Sequence, residues 1–244
     1  MEGYNAETFG ALNAQGYDAQ HDPGTTGAAV AVLAQLAGSG RVLEFAIGSG
    51  RIALPLAQLG IDIAGIEASA PMIDLLRAKP GGAAIEVVQG DMTQAQVAGG
   101  FGLVLLVFNT LFNVTSQDGQ LACFANAARH LNKGGRFVVE AFVPDFEDFD
   151  GGQRTRTQSV DFGAVQLEAI RHDRARQVLD MQRITITPAG MRMVPLPMRY
   201  VYPPELDLMA QLNGFKLAER WGSWNKAPYD ANSKMHVSVY EKTA

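Results

Sequence analysis

The feature that most constrains this chain is an apolar run that ends on one acid and then breaks into a glycine turn. Residues 41–53 read R-V-L-E-F-A-I-G-S-G-R-I-A. Residues 41–46 have the composition of a buried strand, and 51–59, closed by Gly60, that of a helix. A strand feeding a helix through glycines opens a sheet that is mostly parallel and covered by helices on both faces. The same alternation continues. Strands are expected at 61–67, 84–89, 103–108 and 136–142, and helices at 26–37, after Ser69, and at 118–131. Ser69 is placed to cap its helix, with Pro71 in the first turn, where a missing N–H does no harm.

The pattern changes after Phe142. Between 153 and 202 no helical period appears. Val165, Leu167 and Ala169 alternate with Gln166 and Glu168, the period of a half-exposed strand. Residues 177–187 and 191–202 are also strand-like, with Ala189-Gly190 as the turn between them. An antiparallel sheet inserted into the α/β domain is therefore expected. A helix at 204–212, ended by Asn213-Gly214, and a hairpin of strands at 215–221 and 236–242 complete the chain. In 244 residues, 47% of them hydrophobic, there is material for one large domain carrying an insertion. The expected boundaries are a segment at 1–25, a domain at 26–150 and 203–244, and an insert at 151–202.

Several classes of protein are argued against. A net charge of -5 offers no electrostatic footprint for nucleic acid. The single cysteine, Cys123, forms no internal disulfide, which fits a reducing compartment. The start, M-E-G-Y-N-A-E-T-F-G, has no signal core, and the apolar window from Phe101 is too short to span a bilayer. A soluble, cytoplasmic protein without a membrane partner is expected. No His, Cys or Asp spacing marks a metal site.

Two ligands suit the glycine turn. Gly48-x-Gly50-x-x-Ala53 fits a nicotinamide-binding turn, and Glu44-x-Ala46-x-Gly48-x-Gly50 nearly fits one for S-adenosylmethionine. Glycines serve both, since they let backbone approach a ligand at a helix N-terminus. Glu44 discriminates, because an acid there repels a dianionic pyrophosphate and suits an ammonium and a sulfonium. Glu67 ends the second strand, where either ligand presents ribose hydroxyls. Asp91 follows the third strand in Q-G-D-M.

The segments V-L-E-F-A-I-G-S-G-R-I-A-L-P-L-A, G-I-E-A-S-A-P-M-I, Q-G-D-M-T, L-V-F-N-T-L-F-N and H-L-N-K-G-G-R-F-V-V-E-A-F occur in that order over about residues 41–142. In this set the chain resembles the class I S-adenosylmethionine-dependent methyltransferases of the bacterial small-molecule kind. R-Y-V-Y-P-P-E-L-D-L-M-A-Q-L-N-G-F and the terminal hairpin extend the resemblance. It implies a Rossmann-like sheet of seven mostly parallel strands with a C-terminal antiparallel hairpin, plus the inserted β cap. It also implies S-adenosylmethionine as cofactor and S-adenosylhomocysteine as product. Glu44, Gly48 and Gly50 are then expected at the methionine half, with Ala46 and Arg51 in the same turn. Glu67 is expected at the ribose, followed by Ala68 and Met72, and Gly90, Asp91 and Met92 at the adenine. Asn109, between Phe108 and Thr110, is expected near the transferred methyl. Tyr17, Asp18 and His21 lie in a segment that relatives fold over the cofactor. Tyr17, His21 and Asn109 are the candidate catalytic residues. Two positions depart from the family pattern: Ala46 replaces a usual glycine, its methyl crowding the methionine end, and Gly102 stands where an acid often precedes the fourth strand.

The acceptor is less legible, because an in-line methyl displacement gains its rate from positioning and requires no dedicated base. The N/D-P-P-Y/F signature of amine-methylating DNA enzymes is replaced by Asn109-Thr110-Leu111-Phe112. Cys123 lies on an expected helix without a preceding proline, unlike a cytosine-attacking thiol. A small-molecule acceptor, through N or O, is the expectation, and a homodimer is compatible with it. The rivals are an NAD(P)-dependent oxidoreductase, which Glu44 and the missing Tyr-x-x-x-Lys set disfavour, and a non-catalytic sensor of the cofactor. His130 and His236 read as structural and His172 as a solvated turn residue. The acid run from Pro144, P-D-F-E-D-F-D, reads as a solvated loop at the active edge, with attraction of a cationic amine as the alternative. Trp221, Trp224 and Tyr229 read as core, with a pocket wall as the alternative.

Overall fold

The computed structural model describes residues 1, 3–14, 17 and 24–243. Helix α1 (Thr8–Asn13) precedes α2 (Thr26–Ala37). There follow β1 (Val42–Phe45), α3 (Ala53–Gln58), β2 (Ile63–Glu67), α4 (Ala70–Ala78), β3 (Glu86–Gln89), β4 (Phe101–Leu106), α5 (Gln117–His130) and β5 (Leu131–Phe142). Four consecutive strands come next, β6 (Gln153–Asp161), β7 (Ala164–Asp173), β8 (Val178–Thr187) and β9 (Gly190–Arg199). Helix α6 (Pro203–Leu212) and strands β10 (Phe215–Trp221) and β11 (Met235–Lys242) end the order. Among the described residues no helix is long and apolar enough to cross a membrane.

The larger sheet runs β10-β11-β5-β4-β1-β2-β3. Strands β1 to β5 are parallel, and β11 lies antiparallel between β5 and β10. All residues of β1 and β2 are buried, as expected of parallel strands covered on both faces. The chain winds outward from β1 through β2 to β3, then returns to the other side of β1 for β4 and β5. The crevice at the carboxyl ends of β1 and β4 is the topological switch point, where open α/β sheets bind ligands.

The smaller sheet, β6-β7-β8-β9, is antiparallel throughout. Its Ile170, Leu179, Met181, Leu196 and Met198 join the core formed by Phe112, Phe124 and Phe137 of the larger unit. The end of β9 is also held by charge. Buried Arg199 donates to Gln120 Oε1 at 2.6 Å and to Glu205 Oε1 at 2.7 Å, which ties the strand to α5 and α6. Such a pair contributes register more than net stability.

Some details differ from the sequence expectations. Strand β5 begins directly at Leu131, because residues 132–135 bulge out between the pairs Phe101–Leu131 and Leu103–Arg136. Strand β6 has no apolar face to announce it: Arg154 and Arg156 point one way and threonines the other. The Ser69 hydroxyl makes no capping bond. It is buried beneath Gly10 of α1, where any Cβ would lie 2.4 Å from it. Gly102 has a packing reason, since a Cβ there would come 3.1 Å from Gly40 Cα. His172 is not a solvated turn residue. Its ring stacks on Phe146 at 4.1 Å, and its Nε2 lies 3.0 Å from the Tyr200 hydroxyl.

Candidate active site

Backbone strain concentrates at the switch point. In the turn after β1, Ala46 (φ 52°), Gly48 (φ 57°) and Gly50 (φ 86°) are left-handed. Gly50 has a packing reason too, because a Cβ would lie 2.4 Å from Leu76 Cδ1. At Gly48 an added Cβ meets only the Ala46 carbonyl oxygen, at 3.9 Å, so that face is open. From the sequence, Ala46 is a question of room. In the fold it also costs ~1–2 kcal/mol in backbone conformation. After β4, Phe108 (φ 60°) and Asn109 (φ 63°) are consecutive left-handed residues. Three hydrogen bonds clasp them to β5. Phe108 N–H donates to Glu140 Oε2 at 2.7 Å, Asn109 N–H to the Glu140 carbonyl at 3.1 Å, and Phe142 N–H to Asn109 Oδ1 at 2.6 Å. Since β1 and β4 are adjacent, the two strained turns flank one crevice. Non-glycine strain of this kind persists only where the surroundings enforce it, commonly at functional sites.

Two buried carboxylates lie under the turns. Glu67 accepts from Gly48 N–H and from Ser69 N–H, both at 2.9 Å, bracing the glycine turn against the start of α4. Burial still pushes its carboxyl above the ordinary range, against the pull of those bonds. Glu44 is 4% exposed. One of its oxygens takes the Ala53 N–H, and Oε2 has no partner among the described residues. Burial pushes its carboxyl up to about 8, with Arg51 opposing the shift and Glu67 adding to it. Arg51 lies 4.8 Å from the Phe108 ring centroid and donates to Thr26 Oγ1 at 3.0 Å.

A cavity of about 990 Å³ opens above the turns. It is bounded by the strand ends, by α1 and by one face of the smaller sheet. Tyr17, Ala46, Gly48, Glu67, Ala68, Met72, Gly90, Asp91, Met92, Phe108, Asn109 and Thr110 all line it. Glu44, Gly50 and Arg51 do not, and stand behind the turn. His21 and Asp18 lie outside the described residues. Asp91 is held by Thr93 N–H, which donates to its Oδ1 at 2.8 Å. The acid run is drawn into the wall: Asp145, Phe146, Glu147, Asp148 and Phe149 line the cavity, with Lys234 on Asp145 at 2.9 Å and Arg154 on Asp148 at 3.1 Å.

The remaining candidates are structural. Val97 N–H donates to His130 Nε2 at 3.0 Å, so the proton sits on Nδ1, which donates to the Asn126 carbonyl at 2.8 Å. Trp221 and Trp224 are buried in a core cluster, and Cys123 is buried on α5 with its thiol pushed up by burial. Residues missed from the sequence include Tyr4, Phe9 and Gly10, which line the cavity from the N-terminal segment, and Glu140 in the β4–β5 clasp. The Tyr4 hydroxyl is buried without a partner among the described residues, and burial pushes it up to about 12.

The acids decide which ligand the turn suits. A pyrophosphate here would bring its two charges against Glu67 in the lining and above Glu44 behind the turn, whereas a ligand carrying an ammonium and a sulfonium complements both acids. These acids and the open face of Gly48 fit S-adenosylmethionine. Fold and turn together define a class I S-adenosylmethionine-dependent methyltransferase, and the chain belongs to that family. A model of the methyltransferase domain matches residues 42–135. The chain is 37% identical to the CcbJ methyltransferase of Streptomyces caelestis, with a TM-score of 0.92 over 99% of this chain and 100% of that one. A curated relative, the cypemycin N-terminal methyltransferase of a Streptomyces species, is 27% identical over 82% of each chain. The fold is also that of the S-adenosylmethionine-bound amino pentose methyltransferase CalS10 of Micromonospora echinaspora, 20% identical over 94% of this chain and 95% of that one, with a TM-score of 0.68. The family uses S-adenosylmethionine as methyl donor.

Proposed function

We propose that this methyltransferase methylates a nitrogen of a small amine held between the strand ends of the larger sheet and the facing side of the smaller one. The observation that carries this is the division of the cavity. One wall is strained backbone with the acids Glu67 and Asp91, and the other is the apolar strip Ile170, Leu179, Met181, Leu196 and Met198. A cationic, polar cofactor suits the first wall and an acceptor body the second. The curated relative, named as an N-terminal methyltransferase of cypemycin, supports nitrogen as the acceptor atom.

In this reading Ala46, Gly48 and Gly50 shape the methionine half, with Glu44 and Arg51 setting the charge beneath it. Glu67, Ala68 and Met72 serve the ribose, and Gly90, Asp91 and Met92 the adenine. Bound there, the cofactor supplies a methyl group on a positive sulfur. Asn109, fixed by its clasp to β5, forms the floor beside that group with Phe108 and Thr110, and Tyr17 covers it. A neutral amine brings its own lone pair, so no base is required. Holding it in place can supply up to ~7–11 kcal/mol.

The test is a labelled-methyl assay over small primary and secondary amines and matched phenols. Label is expected on amine nitrogen. Label confined to the phenols would reject nitrogen as the acceptor.

A further inference from the structure

The acceptor wall carries a charge pattern as well as an apolar strip. Antiparallel register sorts the cavity face of the smaller sheet into rows across its strands. Leu179 pairs with Met198 in the row nearest the larger unit. Leu196, Met181, Ile170 and Arg154 form the next row, and Val194, Arg183, Glu168 and Arg156 the one beyond. The near end is fixed by Arg199, one residue beyond Met198, through Gln120 and Glu205. Strand β9 packs there against the turn at Thr110–Asn113, next to Asn109. The wall thus runs from the Leu179–Met198 row, over a second row that is apolar except for Arg154 at its β6 end, to a charged row about 13 Å from Met198 at ~3.3–3.4 Å per residue.

The charges of that far end are unequally committed. Arg154 is bound twice, to Asp148 at 3.1 Å and to Glu168 at 2.9 Å. Glu168 lies directly opposite Arg156 in the register, yet gives its Oε1 to Arg154. Lys234 is taken by Asp145. Arg183, across from Glu168 on the other side, adds a further cation to the lining. Arg156 lines the cavity and has no ion-pair partner among the described residues. The acid opposite it, Glu168, is engaged by Arg154, as is Asp148 of the cavity lining. An arginine fork is suited to a carboxylate or phosphate.

We infer that the acceptor carries an anionic group, a carboxylate or a phosphate ester, which Arg156 binds in the row about 13 Å along the small sheet from the Leu179–Met198 row. This rests on the proposed reading of that wall as the acceptor side and extends it to a substrate class: amines whose apolar body ends in an anion. The stretch between, apolar apart from the paired Arg154, favours an elongated molecule over a compact one.

The test reads binding, so it stands apart from the identity of the methylated atom. Octanoate, octyl phosphate, octanamide and octylamine are titrated by calorimetry into the whole protein saturated with S-adenosylhomocysteine. Octanoate or octyl phosphate should bind at least about tenfold more tightly than octanamide, as a charge-assisted contact requires. The tighter of the two identifies the anion as carboxylate or phosphate. In Arg156→Gln the anion preference should fall to within about threefold, and Arg156→Glu should turn it toward octylamine. S-adenosylhomocysteine affinity should be unchanged in both variants. An anion bound no better than octanamide by the unaltered protein, undetectable binding of both included, overturns the inference. So does an anion preference that survives in Arg156→Gln. Failure of nitrogen methylation would show separately, in the labelled-methyl assay.

Discussion

The two sheets of this enzyme handle polar groups in opposite ways. In the larger one, β1 and β2 are buried along their whole length, and each carries a carboxylate, Glu44 and Glu67. Chemistry there comes from backbone angle and from acids that burial holds in a raised state. In the smaller one, polar and apolar residues share the cavity face, and its charges meet in part-buried pairs such as Arg154–Glu168. The first arrangement suits a ligand that never varies, since each part depends on its neighbours. The second suits a variable ligand, since one side chain can change while the backbone stays.

Breaking the first arrangement should have the largest effect. The folded Glu44 carboxyl is raised to about 8, so its favourable contribution is complete below the ordinary value near 4.5 and is lost as pH rises toward 8. Glu44→Gln removes that loss. Without cofactor, the variant should gain on the unaltered protein between pH 5 and pH 8 by on the order of 3–5 kcal/mol. Denaturant melts at the two pH values read this, and a gain that is flat with pH would show that Glu44 is not ionised against its burial. The same variant should bind S-adenosylhomocysteine more weakly at pH 8.

Filling the second arrangement should cost less and fall elsewhere. Met181→Trp extends bulk into the cavity from the middle apolar row. Displacing an acceptor by about 1 Å can cost roughly 10²-fold in rate, so kcat/KM for a methylated amine should fall by that order while S-adenosylhomocysteine affinity stays within about fivefold. Equal loss of both would mean that the small sheet also serves the cofactor.

The smallest effect concerns the strained turn. Ala46→Gly relieves ~1–2 kcal/mol of left-handed strain and costs ~0.5–1 kcal/mol in chain entropy. A net gain of about 0.5–1 kcal/mol is expected in a thermal melt. A loss of stability would place the value of Ala46 in contacts of its methyl.

The larger sheet was legible because its signals are local and redundant. Continuous apolar runs gave β1, β2 and β4, and the glycine turn gave the crevice. The bulge at 132–135 and the missing Ser69 cap were not legible, because each depends on a neighbour distant in sequence, Phe101 in one case and Gly10 in the other. In the smaller sheet, alternation at residues 165–169 marked a half-exposed strand without showing which face meets the cavity. Strand β6 hid because its cavity side is Arg154 and Arg156. Nothing in the spacing of Tyr4 or Glu140 marked them, since a buried hydroxyl and a backbone clasp arise only when remote segments meet.

The place of β11 has a consequence for how the chain is made. Val138 of β5 pairs with Val239 of β11, about 100 residues later, whereas each strand of the smaller sheet pairs with the next one synthesised. The four-stranded sheet can therefore close while the chain is still emerging, and the long edge of β5 waits. Contacts so far apart in sequence are slow to form, and an unpaired edge invites association with other chains. During synthesis the small sheet, proposed above as the acceptor side, is ready early. The central sheet stays open on one flank until residue 242 arrives, so substitutions in β11 should lower the yield of folded protein more than its final stability suggests.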